Sequence, residues 1–296
     1  MKNIGIIGLG NMGMGMAKNL LTAGYHVYGF NRSKEKLETF SRLGGQATEN
    51  CAMVGKHADL VFIMVVNEEQ VFDVVFGENG LIESMKPGSI LVVSATINSS
   101  AVRRIEERIK TTGICLIDSP VSGGKKGADA GELTLMVSGD RNTYYKVQEV
   151  FQTIGKNIFY VGEQPGMGQI TKACLQGLVG CIYTGIFESL VLGVKAGVSA
   201  ETLYSVIGAS VANNPLFQGT VPAILDRKFE GTGSNIGNTY KDLSITMDLA
   251  EECGVPMMTT SVAKQIFQAG MTKFPKNDNQ GLIKLLEDIV GIEVKR

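Results

Sequence analysis

The sequence predicts an α/β first half, built on a doubly wound and mainly parallel sheet, followed by an all-helical second half. Three observations carry this. Short apolar runs alternate with helical segments through the first half, and strand-like runs then vanish. Between the halves lies an apolar stretch from Gly166 to Gly197, helical in its spacing and free of proline. At 296 residues the chain has room for two domains of ordinary size, and the glycine- and proline-bearing segment 162–168 places their boundary near residue 163.

The totals narrow the function classes. A hydrophobic content of 44% with 19% charged residues is the balance of a soluble globular protein. A formal net charge of −1 gives no electrostatic support to a nucleic-acid partner. The five cysteines show no CxxC spacing and read as reduced core residues of a cytoplasmic protein. With only His26 and His57 available, a histidine metal cluster is excluded, and no signal segment precedes the first strand.

Taken in order, residues 3–7 read as a buried strand, followed by Gly8-Leu9-Gly10-Asn11-Met12-Gly13, a helix from about Met12 to Thr22, and a second strand, 26–30. Strand, G-x-G-x-x-G, helix, strand is the context of a dinucleotide site. Gly8 permits the tight turn and Gly10 admits a pyrophosphate to the backbone. Gly13 lets the helix pack closely, with its first N–H groups aimed at the phosphates. The second strand ends in Asn31-Arg32, without the carboxylate that would repel a 2′-phosphate and with a guanidinium able to pair with one. The expected cofactor is therefore NADP in preference to NAD.

Further strands are expected at 58–66, 89–94, 114–117, 133–138 and 158–161, with helices at 101–110 and 142–154 and helix or loop over 67–85. Ligands of such sheets lie at the carboxyl ends of strands, which places Val65, Val66, Asn67 and Thr96 along the cofactor crevice. Ser122-Gly123-Gly124 follows another strand and offers a hydroxyl and backbone N–H groups to a carboxylate, although an ordinary glycine-rich turn has the same composition. In the second half, helices are expected at 200–209, 222–227, 238–252, 259–269 and 281–290. Asn213-Asn214 reads as a turn and Lys241-Asp242 as a solvated helix face.

The linking helix carries Lys172 one turn in. Lys172, Gln176, Glu188 and Ser189 argue against a membrane span. Its lysine either snorkels to water or sits in a cleft between the two halves, with a pKa lowered toward neutrality.

With these residues in hand the chain resembles the β-hydroxyacid dehydrogenase family. GLGNMGMGMAKNL matches its cofactor fingerprint, DSPVSGGKKGADAGELTLMVSG its substrate segment, GMGQITK its catalytic-lysine segment and YKDL a second-domain lysine. VVNEEQVFDVVFGENGL, VSATI and ANNPLF look most like the L-threonate dehydrogenase branch. The resemblance implies a Rossmann domain over 1–162, an all-α substrate and oligomerisation domain over 163–296, dimers or tetramers, and no metal. It implies hydride transfer between NAD(P) and a small hydroxy acid, most like a sugar acid such as threonate. A 3-hydroxyisobutyrate dehydrogenase and a tartronate semialdehyde reductase are the alternatives, and a non-catalytic NADP-binding sensor or scaffold is the alternative of another class.

Lys172 would be the general base and acid, with Ser122, Gly123 and Gly124 on the substrate carboxylate and Asn213 on a distal hydroxyl. Lys241 would lie against substrate or nicotinamide. The fingerprint residues Gly8 to Gly13, with Asn31, Arg32, Val65, Val66 and Thr96, would hold the cofactor. Where the family usually has Asn, or His in the threonate branch, three residues after the lysine, this chain has Leu175. Leucine cannot hydrogen-bond a hydroxyl, so Gln176, at i+4 from Lys172, is the candidate replacement.

Overall fold

The computed structural model describes residues 1–296 in two compact units, Met1–Lys172 and Ala173–Arg296. The first contains β1 (Asn3–Ile7), α1 (Asn11–Thr22), β2 (His26–Phe30), α2 (Lys34–Arg42), β3 (Gln46–Ala47), α3 (Cys51–His57), β4 (Leu60–Ile63), α4 (Glu68–Phe76), β5 (Ile90–Val93) and α5 (Ser99–Ile109). It continues with β6 (Cys115–Asp118), β7 (Val121–Ser122), α6 (Gly124–Ala130), β8 (Leu133–Gly139), α7 (Arg141–Ile154) and β9 (Gly155–Gly162). These strands make one sheet in the order β3-β2-β1-β4-β5-β6-β8-β7, with β9 also paired to β8. Pairing is parallel from β3 to β6 and between β8 and β9, while β6 and β7 meet β8 antiparallel.

Strand side chains alternate between two apolar layers, as a sheet covered on both faces requires. Ile4, Ile6, Leu60, Phe62, Ile90 and Val92 join Met16 and Leu20 of α1 and Phe151 of α7. Ile7, Val61, Ile63, Leu91 and Val93 join Val54 of α3, Val71 of α4 and Ile105 of α5. Because strand order turns back on either side of β1, the carboxyl ends of β1 and β4 form the switch point at which such sheets take ligands.

Helix α8 (Met167–Lys195) starts in the first unit and continues into the second. It is long and apolar enough to cross a membrane by length and composition, and 44% of its most apolar window is buried. The second unit adds α9 (Ala200–Gly208), α10 (Pro215–Leu225), α11 (Ile236–Cys253), α12 (Met258–Lys273) and α13 (Lys284–Val290). Phe187, Leu190, Phe217, Leu243 and Phe267 are at its core.

Several expectations need correction. The strands expected at 58–66 and 89–94 shorten to β4 and β5, because residues 64–66 and Ser94 already belong to the loops beyond them. Helix α10 begins at Pro215, not Pro222: Asn214 caps it by accepting from Phe217 N, Pro215 fills the first turn where no N–H is needed, and Pro222 lies inside. Lys241-Asp242 is no solvated face, since Asp242 is buried. Nor are the cysteines uniformly core residues: Cys51 is buried, Cys115 and Cys181 are half-buried, and Cys174 and Cys253 are exposed. Burial, with the Asp73 charge, pushes the Cys51 thiol up to about 12.

A candidate active site in the first unit

The glycine-rich turn is built by close backbone approach. Gly8 has φ +94°, and a Cβ there would lie 2.4 Å from the Met64 carbonyl oxygen. A Cβ on Gly13 would lie 2.0 Å from the Gly8 oxygen, so both positions must be glycine for the turn to close. Gly10 differs: nothing stands within 4 Å of its would-be Cβ. Gly10 is also the N-cap of α1 and supplies no side chain to the first helical N–H groups. An open cradle, an uncapped helix start and a position at the switch point together fit the pyrophosphate of a dinucleotide. Asn31 ties the end of β2 to this turn, its Oδ1 accepting from Leu9 N at 3.0 Å. Arg32 beside it is exposed. After β4, Val65 is half-buried and Val66 55% exposed, and Asn67 caps α4 by accepting from Gln70 N.

The second group of candidates lies around Lys172. This side chain does not snorkel: the residue is 6% exposed, and its Nζ donates to the Val121 carbonyl oxygen at 2.9 Å. The structure thus brings the amine to β7, directly before Ser122, Gly123 and Gly124. Gly123 and Gly124 have φ +128° and +60°, conformations that side-chain-bearing residues rarely adopt. They turn the chain from β7 into α6, with the Ser122 side chain half-buried at the corner.

A residue pair that sequence reasoning missed, Asp118 and Gln169, holds the base of Lys172. Asp118 is fully buried at the end of β6. Its Oδ2 accepts from Gly166 N, Gln169 N and Ser138 Oγ, each at 3.1 Å, and its Oδ1 accepts from Gln169 Nε2 at 2.8 Å. Burial pushes the carboxyl up to about 6, against the pull of these four donors. The Gln169 carboxamide also donates to Ala95 O at 3.0 Å and accepts from Ile97 N at 3.1 Å, on either side of Thr96.

The remaining candidates belong to the second unit. There Gln176 Nε2 donates to Asp242 Oδ2 at 2.5 Å, and Lys241 Nζ to Asp242 Oδ1 at 2.7 Å, so one buried carboxylate gathers both. Asn213 is exposed, and its Oδ1 accepts from Gln218 Nε2 at 2.7 Å. Leu175 is half-buried.

Residues 3–162 match the family described as the NAD binding domain of 6-phosphogluconate dehydrogenase. Residues 166–286 match the one described as NAD-binding of NADP-dependent 3-hydroxyisobutyrate dehydrogenase. Similar proteins include the 2-(hydroxymethyl)glutarate dehydrogenase of Eubacterium barkeri, 34% identical with 98% of this chain and 97% of that one covered. The L-threonate dehydrogenase of Cupriavidus necator is 33% identical with 97% of each covered. The chain belongs to the β-hydroxyacid dehydrogenase family. Among solved structures, a 3-hydroxyisobutyrate dehydrogenase from Salmonella typhimurium superposes with a TM-score of 0.89 at 28% identity, covering 96% of this chain and 100% of that one. As a β-hydroxyacid dehydrogenase the protein is an oxidoreductase that uses a nicotinamide cofactor and a small hydroxy acid.

Proposed function

We propose that the protein oxidises, reversibly, a small sugar acid such as threonate, with Lys172 as the acid–base group. The observation that carries this reading is the buried Lys172 amine, held on the Val121 carbonyl one residue before Ser122. The bound nicotinamide supplies the acceptor or donor of hydride at the carbinol carbon. In oxidation the neutral Lys172 Nζ takes the proton of the substrate hydroxyl; in reduction its ammonium returns one. The Ser122 hydroxyl and the N–H groups of Gly123 and Gly124 hold the carboxylate, and Gln176, Asn213 and Lys241 are further substrate-binding residues. The cofactor lies on Gly8 to Gly13, Asn31, Arg32, Val65, Val66 and Thr96, with Lys241 against the nicotinamide. What supports threonate is the similarity to a protein of that name, while 3-hydroxyisobutyrate is the second substrate to test, favoured by the family match over 166–286.

The same reading makes NADP the preferred cofactor, because Asn31-Arg32 presents a guanidinium and no carboxylate. It divides the chain into a dinucleotide-binding domain, 1–162, and a substrate and oligomerisation domain, 163–296. The protein is then cytoplasmic and a homodimer or homotetramer, with the exposed Leu178, Leu192 and Met258 of the second unit offering apolar surface for self-association. The test is nicotinamide absorbance with threonate, erythronate, glycerate, 3-hydroxyisobutyrate and their oxo acids, each with NAD and NADP. Lys172→Ala is expected to lower kcat by about 10²–10⁴ with little change in cofactor affinity. A fully active Lys172→Ala enzyme overturns the assignment.

A further inference from the structure

We propose that Gln169 is a positioning residue for this reaction: clamped by Asp118, its carboxamide holds the Ala95–Ile97 segment and the start of α8 in one frame, fixing Thr96 relative to Lys172. The inference rests on the acid–base reading of Lys172 and extends it to a side chain that touches neither substrate nor cofactor in that reading. Gln169 is 1% exposed and makes three side-chain hydrogen bonds, each to a different residue. Its Nε2 donates to Ala95 O and to Asp118 Oδ1, and its Oε1 accepts from Ile97 N, so the amide grips the loop after β5 on both sides of Thr96. Ala95 N still donates to Ile63 O of β4 at 2.9 Å, and the chain then leaves the sheet through Thr96 and Ile97, between β5 and α5, where Gln169 grips it.

The other end of the clamp is equally fixed. Asp118 accepts from the backbone N–H groups of Gly166 and Gln169, and Ser138 Oγ, which donates to Asp118, accepts from Gly168 N at 3.0 Å. The first turn of α8 is therefore tied to β6 and β8 through side chains. Lys172 stands three residues after Gln169, about 4.5 Å further along the helix axis. A small rotation of α8 or slippage of the Thr96 loop would shift the cofactor-side Thr96 relative to the acid–base Lys172, and misplacement by about 1 Å can cost about 10²-fold in rate.

Replacing the amide by an acid keeps its shape but removes the donor that faces Asp118 and Ala95. Gln169→Glu is expected to lower kcat about 10- to 100-fold per folded molecule, while the cofactor Kd, to which Thr96 is one of several contributors, changes by a smaller factor. Exchanging the partners, Asp118→Asn with Gln169→Glu, restores the donor and acceptor between the two positions but not the donation to Ala95 O, and is expected to recover part of the loss. A packing role alone would lower the melting temperature without this split between kcat and Kd, and without rescue. Amide hydrogen exchange of the unaltered protein is a second measurement: Ile97 N–H is expected to exchange slowly despite lying in a loop. Unchanged kcat in Gln169→Glu, absent rescue, or free exchange at Ile97 overturns the proposal. Lys172→Ala, run in parallel, separates the two ideas. If it stays active, the acid–base reading and this inference both fall. If it is dead while Gln169→Glu is normal, only this inference falls.

Discussion

A methyl group at Gly10 and one at Gly13 have opposite consequences. At Gly10 it meets open space and an ordinary φ of −73°, whereas at Gly13 it would be driven into the Gly8 carbonyl at 2.0 Å. Gly10→Ala is expected to leave stability within about 0.5 kcal/mol while lowering dinucleotide affinity tenfold or more, in chemical denaturation and cofactor titration respectively. Gly13→Ala should instead cost about 3 kcal/mol through overpacking. Equal loss of stability in both variants would show that Gly10 is a turn glycine and nothing more. Arg32 makes a separable prediction. If it pairs with a 2′-phosphate, Arg32→Ala should weaken NADP by roughly 1.5–3 kcal/mol and leave NAD unaffected. A parallel loss for both cofactors, in the same titration, would sink the NADP preference.

At the scale of elements, the start of α8 is tightly constrained. A Cβ on Gly168 would stand 2.4 Å from Met136 O, 2.8 Å from Asp118 Oδ2 and 2.9 Å from Pro120 Cδ. Two of these neighbours are backbone or ring atoms that cannot swing aside. Gly168→Ala should therefore destabilise the protein by about 1–3 kcal/mol, read by urea denaturation, and lower kcat as the base of Lys172 shifts. A variant of unchanged stability would mean that α8 can slide on β8. Helix α8, the glycine-rich turn and most strands are legible in the sequence because each leaves a local periodic or turn signal. Helices α2 and α3 carry no such clear signal, and the short α6 is hidden within a glycine-rich segment. The start of α10 is ambiguous in the sequence, since Pro215 and Pro222 are both acceptable first-turn residues and only the Asn214 cap separates them. Gln169 was invisible for another reason: a polar residue at a helix start has no local signature, and its partners are 51 to 74 residues away.

For the molecule as a whole, the buried Asp118 shapes stability against pH. Its carboxyl is raised to about 6 from 3.8, so between these values the folded chain keeps a proton that the unfolded chain has released. Folding stability from this group is therefore greatest below pH 4, falls as pH rises through that window, and is level above it. The change is at most about 3 kcal/mol. Comparing urea-unfolding free energies of the wild type and Asp118→Asn from about pH 4 to pH 7 isolates it, because other carboxylates cancel in the difference. The wild-type curve should drop relative to the variant across that range, and parallel curves would show that the four donors hold the carboxyl near its ordinary value.

The unequal exposure of the five thiols gives the molecule a chemical asymmetry of practical use. Cys174 and Cys253 lie at the surface of the second unit, and Cys51 in the first is buried with its thiol pushed up to about 12. A maleimide fluorophore added briefly near neutrality would decorate the helical portion while sparing Cys51. Emission from dyes so attached could follow dinucleotide addition without engineered attachment points.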